Sequence, residues 1–224
     1  DNRLASAFDE ETQRNLYRNL GRVDKYGIDG SIAYQPIPQL ALYAFGSYMK
    51  SEIKDDVQVG ACTAAQAANP AIPACTTAGQ PIFAPTAGKR EGGAPAYTFG
   101  GSARGMFGPF ELGLTAKRTG GRNIYDTNLP ICSVQPTTVA PTTCTGTIVY
   151  PAKTNAYWLV NLDARLNLEF LGLNDKTFFQ VNVYNLFDTL YVGNINSSLS
   201  QGSSAPNAQI GAPRTISGTL TVAF

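Results

Sequence analysis

The strongest constraint on the fold is an alternation of side chains that continues to the last residue of the chain. In the segment 214–224 one face is mainly apolar and carries Ile216, Gly218, Leu220, Val222 and Phe224. The other face is small and mostly polar and carries Thr215, Ser217, Thr219, Thr221 and Ala223. A period of two places successive side chains on opposite faces of a β-sheet. The pattern predicts a terminal strand with one apolar face, as in a transmembrane β-barrel whose last strand pairs to close the wall.

Composition excludes several classes of protein. The 224 residues are 15% charged and have a formal net charge of +1, so no basic field is available to attract nucleic acid. Histidine is absent and only four cysteines occur, which removes the usual metal sites and the Ser/His/Asp and Cys/His catalytic sets. We therefore expect no enzymatic activity, no metal and no cofactor.

Six further segments alternate, which gives a prediction of seven antiparallel strands. The clearest begins at Tyr157, continues to Phe170 and has charges of both signs on its polar face, which suits a wet barrel interior. The other five are Tyr26–Tyr34, Leu40–Lys54, Tyr97–Phe107, Phe110–Lys117 and Lys176–Tyr184. In Leu40–Lys54 both faces hold apolar residues, so the sequence leaves open which face meets lipid.

The connections between these strands alternate strictly between short and long. The short ones are 35–39, 108–109 and 171–175, and the long ones are 51–96, 120–154 and 194–212. Outer-membrane barrels have short periplasmic turns and longer extracellular loops, whereas globular domains seldom contain loops beyond ~12–15 residues. The predicted fold class is therefore all-β, an antiparallel transmembrane β-barrel segment of about seven strands, rather than a β-sandwich.

Strand direction adds an expectation about domain organisation. If the last strand ends in the periplasm, counting back places residues 1–22 outside the cell. Bacterial single-chain barrels have even strand counts, with both ends on one side of the membrane. We therefore expect residues 1–224 to be the C-terminal portion of a larger barrel.

A motif after the sixth predicted strand connects this pattern to a known family. The alternating run 179–184 is followed by Asn185, Leu186, Phe187 and Asp188, and Tyr191 lies three residues later. This sequence resembles the penultimate strand of TonB-dependent outer-membrane receptors, which ends in Asn-[Leu/Val]-Phe-[Asp/Asn] before a further aromatic residue. The segments 25–29 and 93–97 and the last strand resemble the same family.

The resemblance implies a 22-stranded barrel in the outer membrane of a Gram-negative cell, surrounded by lipid and filled by an N-terminal plug domain. The plug and the first strands are expected outside residues 1–224, so the TonB complex would act through a plug that this chain lacks. The family takes up scarce nutrients, commonly ferric siderophores, with cobalamin and oligosaccharides as other substrates. In this family the barrel-assembly machinery recognises the terminal aromatic residue, here Phe224. A passive porin or an adhesin-type barrel is the alternative.

Physical chemistry assigns roles to the motif residues. Asn185 and Asp188 can bond their own backbone and so favour a turn where the strand leaves the membrane. Phe187, Tyr184 and Tyr191 are expected in the aromatic girdle at the extracellular interface.

The long connections carry the cysteines and the candidate ligand contacts. We predict the disulfides Cys62–Cys75 and Cys132–Cys144, because each pair is local and an extracellular loop is oxidising. Cross-paired cysteines would require the two loops to touch. The candidates for a rim that binds an anionic small-molecule ligand are Lys89, Arg90, Arg118, Arg122 and Tyr125. The alternative is that these residues form a solvated rim.

Overall fold

The computed structural model describes residues 2–9, 14–134, 145–197, 199 and 206–223, and these ranges contain fourteen strands. The strands are β1 (Asn2–Asp9), β2 (Arg14–Ile37), β3 (Leu40–Ile53), β4 (Val57–Ala61), β5 (Pro81–Ala84), β6 (Tyr97–Phe107), β7 (Phe110–Thr119), β8 (Ile131–Val134), β9 (Thr145–Tyr150), β10 (Tyr157–Asn167), β11 (Phe178–Tyr184), β12 (Val192–Ile195), β13 (Ala208–Ile210) and β14 (Thr215–Thr221). A short helix α1 (Ala64–Ala67) and a 3-10 turn (Glu169–Leu171) complete the regular structure. Within the described ranges no helix is long and apolar enough to span a membrane.

Eight of the strands form one antiparallel sheet in the order β1-β2-β3-β6-β7-β10-β11-β14. Each strand pairs with the next large strand along the chain, so the sheet is a meander. Seven of these strands correspond to the seven predicted from the sequence, and we call them the wall: β2, β3, β6, β7, β10, β11 and β14. The all-β antiparallel fold class is confirmed.

The N-terminal region adds an eighth strand that the sequence reading missed. The sequence places residues 1–22 outside the cell, and none of the seven predicted strands begins there, but β1 pairs with the stretch 14–22 of β2. The pairing of β2 with β3 begins only at Val23 and continues to Ile37. The β1–β2 hairpin therefore continues the sheet beyond the end of β3. The sequence of these two segments lacks the apolar/polar alternation that marks the wall strands.

Strand register settles which face of β3 is the apolar one. Residues directly opposite each other in neighbouring strands project to the same face. Ile28 pairs with Tyr48, and Tyr34 pairs with Leu42. The even-numbered residues of β3 therefore belong to the apolar face. Tyr43 and Phe45 lie on the opposite, polar face.

The apolar face continues across all seven wall strands. It includes Ile28, Ile32, Leu42, Phe99, Leu112, Leu114, Trp158, Leu162, Phe179, Val181, Ile216 and Leu220. Ile28 is 74% exposed and Leu220 is 61% exposed. Contiguous exposed apolar surface of this extent marks a membrane or protein contact rather than a face in water. The register thus gives the wall one lipid-compatible face and one polar face.

The wall has a turn end and a loop end. At the turn end Gly108-Pro109 joins β6 to β7, with Gly108 at a φ of 59°. The connection after β10 begins earlier than predicted, because β10 ends at Asn167 and not at Phe170. The Asn167 side chain accepts a hydrogen bond from the Glu169 N–H at 2.9 Å and donates one to the Asp175 carbonyl at 3.0 Å. These bonds favour a turn over a longer strand.

Candidate functional site

The family motif forms a turn at the loop end of β11. Asn185 has a φ of 52° and Asp188 a φ of 53°, and the Asp188 N–H donates to the Asn185 carbonyl at 2.9 Å. The buried Asn185 side chain accepts from the Thr189 N–H at 2.9 Å and donates to the Thr189 and Ala212 carbonyls at 3.0 Å. Asparagine tolerates left-handed backbone because its short side chain can bond locally. The motif therefore ends the strand with a side-chain lock.

The same turn is fixed to the strands on both sides of β11. The Asn185 N–H donates to Oδ1 of Asn161 at 2.9 Å, and the Leu186 N–H donates to the Val160 carbonyl at 2.7 Å. On the other side, Oδ1 of Asp188 accepts from the Arg214 N–H at 2.8 Å. Asp188 was expected to bond its own backbone, and it instead positions the start of β14.

The aromatic residues of the motif divide between different surroundings. Phe187 is 70% exposed beyond the end of β11, as a girdle residue would be. Tyr184 shares the polar face with Gln180 and Asn182, so its expected girdle position is wrong. Tyr191 packs its ring on Tyr157, which is also a polar-face residue, with ring centroids 4.5 Å apart. Two of the three aromatic rings therefore belong to the polar side of the sheet.

The polar face carries its own interacting charges. The Arg104 guanidinium contacts the carboxylates of Glu111 and Asp163, the latter at 3.1 Å. The Arg165 guanidinium lies 3.6 Å from the ring centroid of Phe178. These contacts join four neighbouring strands, β6, β7, β10 and β11, across the polar face.

At the loop end, each long connection folds into a hairpin. We call residues 54–96 loop A, residues 120–156 loop B and residues 185–214 loop C. Loop A contains the β4–β5 hairpin, loop B the β8–β9 hairpin and loop C the β12–β13 hairpin. All three long connections lie at one end of the wall, as predicted, and each contains a two-stranded hairpin.

A disulfide closes the outer part of loop A. Cys62 and Cys75 are bonded, with Cα atoms 5.6 Å apart, and this predicted pair is confirmed. Both are buried beside Ile82. Thr63 caps α1 by a reciprocal pair of hydrogen bonds with Gln66. Cys132 is also in a disulfide, and Cys144, its predicted partner, lies outside the described residues.

Loops A and B are joined by paired hydrogen bonds. The Arg90 N–H donates to Oδ1 of Asn128 at 3.1 Å, and Nδ2 of Asn128 donates to the Arg90 carbonyl at 2.7 Å. The Gly92 N–H donates to the fully buried Asp126 carboxylate at 2.7 Å. Side chains of loop B therefore hold the backbone of loop A through three hydrogen bonds.

Loop C packs into both of the other loops. Ile195 of loop C packs with Ile124 and Tyr125 of loop B, and Leu199 packs against Val57 and Ala84 of loop A. The Leu199 carbonyl also accepts from the Thr127 N–H at 3.0 Å. We call this assembly of loops A, B and C the loop layer. Its small cores lie at one end of the wall.

The structure places the five rim candidates in different surroundings. Lys89 is exposed on loop A, and the next residue, Arg90, is half-buried with its guanidinium donating to the Pro95 carbonyl at 3.3 Å. The Arg122 guanidinium instead joins loops B and C, because it donates to the Gly193 carbonyl at 2.9 Å. Lys89 is thus accessible and Arg90 partly so, while the guanidinium groups of Arg90 and Arg122 both donate to loop carbonyls.

The other two candidates do not lie at a rim. Tyr125 is 1% exposed in the core of the loop layer, and burial raises its pKa to about 12. Arg118 is directly opposite Phe99 and Trp158, which puts it on the apolar face of β7. Its guanidinium lies 5.8 Å from the Trp158 ring centroid. The five candidates do not converge, because alternation and loop packing separate them.

Sequence reasoning missed the residues that join the loops. Asn128, at a φ of 55°, and Leu199 carry no motif, and their importance depends on partners far away in the chain. In the described part of the chain no group of three or more Asp, Glu, Cys or His residues could hold a metal ion.

Comparison with known proteins identifies the fold. No family model matches the chain. The catecholate siderophore receptor Fiu of Escherichia coli K12 is 47% identical over 53 residues, which are 24% of this chain and 6% of that protein. The ferric yersiniabactin uptake receptor FyuA of Yersinia pestis superposes with a TM-score of 0.58 and 17% identity, covering 91% of this chain and 24% of that receptor.

A second receptor gives the same result. The siderophore receptor PiuA of Acinetobacter baumannii superposes with a TM-score of 0.58 and 13% identity, covering 89% of this chain and 22% of that receptor. The chain therefore spans about a quarter of the length of these receptors. Its sheet has the fold of part of the β-barrel of these siderophore receptors.

Proposed function

We propose that this chain is the C-terminal barrel portion of an outer-membrane receptor that takes up a scarce nutrient such as a ferric siderophore. The observation that carries the proposal is the two-faced wall with a packed loop layer at one end. An apolar face suits lipid, a polar face suits a wet interior, and structured loops suit capture of a ligand before it enters. The similar receptors, named for siderophores, support this choice of ligand.

Uptake against a concentration gradient requires energy, which the family obtains through TonB. In this proposal the TonB complex acts on a plug domain that sits against the polar face. Polar-face groups such as Asp163 and Arg165 then border the plug. Lys89 and Arg90 are the candidates that first meet an anionic ferric chelate, because opposite charges raise local ligand concentration.

The runner-up is a passive porin or an adhesin-type barrel. The packed loop layer argues against an open pore, because its buried clusters give the loops fixed positions at the mouth of the wall. Passive diffusion nevertheless remains an outcome that the following experiment can register.

The test is uptake of a radiolabelled ferric siderophore by cells that express the full-length protein. We expect accumulation that stops when a proton uncoupler is added and that is absent in cells without TonB. Accumulation that the uncoupler leaves unchanged would favour a passive pore, and absence of binding and uptake across a panel of chelates would overturn the receptor proposal.

A charge variant tests the role of the exposed rim. We expect Lys89→Gln with Arg90→Gln to weaken binding of an anionic ferric chelate by about threefold to tenfold, the range for one or two exposed charges. The matched control is Lys176→Gln, an exposed lysine at the turn end of the wall. Equal effects of the two changes would remove Lys89 and Arg90 from the proposal.

A further inference from the structure

The apolar face contains a groove of about 440 Å³ that the proposed uptake does not use. Both small and large residues line it. Ala44, Gly101 and Ala103 are among the small ones, and Leu42, Leu114 and Trp158 among the large ones. Register places all six on the apolar face of β3, β6, β7 and β10. A smooth barrel surface lacks such a depression, so this one offers side contacts to a chain lying in it.

A basic side chain, that of Arg118, lies at the loop end of this groove. Arg118 projects from the same face of β7 as Leu114 and pairs directly with Phe99 and Trp158, two groove residues. Its guanidinium lies over Trp158, whose ring meets that of Phe99 edge to face at 5.5 Å. Aromatic rings and basic side chains at this level of a barrel mark the membrane interface.

Arg118 differs from the other basic groups on this face. Arg22 pairs with Asp24 at 2.8 Å, and Lys50 and Lys54 both contact Glu52. Among the described residues no carboxylate lies within ion-pair distance of Arg118. Its charge is therefore available to an external anion at the end of an apolar groove.

We propose that the groove and Arg118 together bind one phosphorylated lipid of the outer leaflet, with an acyl chain along Ala44, Gly101 and Ala103 and a phosphate on Arg118. A guanidinium recognises phosphate through two parallel hydrogen bonds, and Trp158 holds the guanidinium in place by cation–π contact. The apolar groove supplies packing contacts and Arg118 supplies a positive charge. Together they select a lipid that has both an acyl chain and a phosphate. The inference rests on the outer-membrane location in the proposed function.

The test uses the full-length protein purified from outer membranes in mild detergent. Native mass spectrometry counts bound lipid after addition of diphosphorylated lipid A, of the same lipid with its phosphates removed, or of inorganic phosphate. We expect retention of the phosphorylated lipid alone, and a decrease of about fivefold for Arg118→Gln, which corresponds to about 1 kcal/mol for one basic residue. We expect Ala44→Leu, which fills the groove, to reduce retention while leaving Arg118 intact.

Lys117→Gln is the matched control, because the adjacent residue carries the same charge but faces the polar side. Heat-modifiable migration on gels shows whether the barrel of each variant is intact. This readout does not depend on uptake, so failure of the lipid proposal is distinguishable from failure of the proposed function. Equal retention in Arg118→Gln and Lys117→Gln, or equal retention of the dephosphorylated lipid, would overturn the proposal. Dimers that Ala44→Leu abolishes would assign the groove to a second copy and would also overturn it.

Discussion

The guanidinium of Arg104 reaches the carboxylate of Asp163 at 3.1 Å across an entire intervening strand. Arg104 pairs in register with Gly113, and Gly113 pairs with Asp163. A Cβ at Gly113 would overlap the Asp163 carboxylate. The missing side chain therefore lets charges on β6 and β10 meet over β7, which joins three strands on the polar face.

Gly113→Val tests this arrangement. We expect the free energy of unfolding to decrease by about 1–3 kcal/mol, because the new side chain occupies space held by Asp163 and separates it from Arg104. Urea titration of the full-length protein in detergent, followed by gel migration, measures the change. The control is Gly30→Val, since no described atom lies within 4 Å of a Cβ there. Equal losses at both glycines would show that the loss comes from replacing glycine in a strand and not from separating Arg104 from Asp163.

Asn185 is expected to be the most sensitive residue of the family motif. Asn185→Ala removes three side-chain hydrogen bonds and puts alanine at a φ of 52°, so we expect a loss of about 2–4 kcal/mol. Asn185→Gly relieves the backbone strain, so we expect this variant to lose less stability than Asn185→Ala. The same urea titration measures both variants, with the 82% exposed Leu190 changed to Ala as the control. A neutral Asn185→Ala would contradict the side-chain lock.

The disulfide of loop A is expected to protect that loop. Changing Cys62 and Cys75 to serine opens a loop with a sequence separation of 13, which costs about 3 kcal/mol in the chain-entropy treatment. We expect faster protease cleavage within 62–80 and unchanged wall stability, because the disulfide packs with Val59, Ile72 and Ile82, which all belong to loop A. Mass spectrometry of the fragments locates the cuts. Cleavage at the wild-type rate would contradict the prediction.

The loop layer is expected to weaken at alkaline pH. Burial raises the pKa of Tyr125 from 10.0 to about 12. Between these values the unfolded phenol loses its proton while the folded one keeps it, so stability decreases as the pH rises from about 10 to about 12. The full effect is about 2–3 kcal/mol.

Tyr125→Phe isolates that contribution. The Tyr125 hydroxyl has no hydrogen-bond partner among the described residues, so phenylalanine keeps the packing with Ile124 and Ile195. Urea midpoints at pH 9, 10 and 11, read from loop-specific fluorophores, compare the two proteins. We expect the variant to show a smaller decrease above pH 10, and parallel curves would refute the assignment to Tyr125.

Phe224 lies outside the described residues, and its role as an assembly signal stays a prediction from the sequence. Deletion of Phe224 is expected to reduce the amount of heat-modifiable barrel in outer membranes severalfold, because the assembly machinery loses its recognition residue. The control is Phe170→Ala, a 62% exposed phenylalanine at the turn end. Normal barrel yield after the deletion would contradict the prediction that Phe224 is an assembly signal.

The wall could be predicted because each strand carries its own alternating pattern. In β10 and β14 the apolar and polar faces separate within a single strand, without reference to any neighbour. In β3 both faces are partly apolar, and only pairing with Ile28 and Tyr34 of β2 fixed the face that continues the apolar surface. Pairing is a relation between distant residues, so one strand's sequence does not contain it.

The sequence by itself determined the antiparallel strands, the alternation of short turns with long loops, the Asn185–Asp188 motif and the Cys62–Cys75 pair, because each depends on residues close together in the chain. Tertiary structure alone decided the loop layer, in which Leu199 packs against Val57 and Ala84 and the Asn128 side chain is hydrogen-bonded to the Arg90 backbone. It also moved Tyr125 into a core and Arg118 onto the apolar face. These outcomes depend on contacts between separate loops and on strand register, whose free energies arise only when distant segments meet.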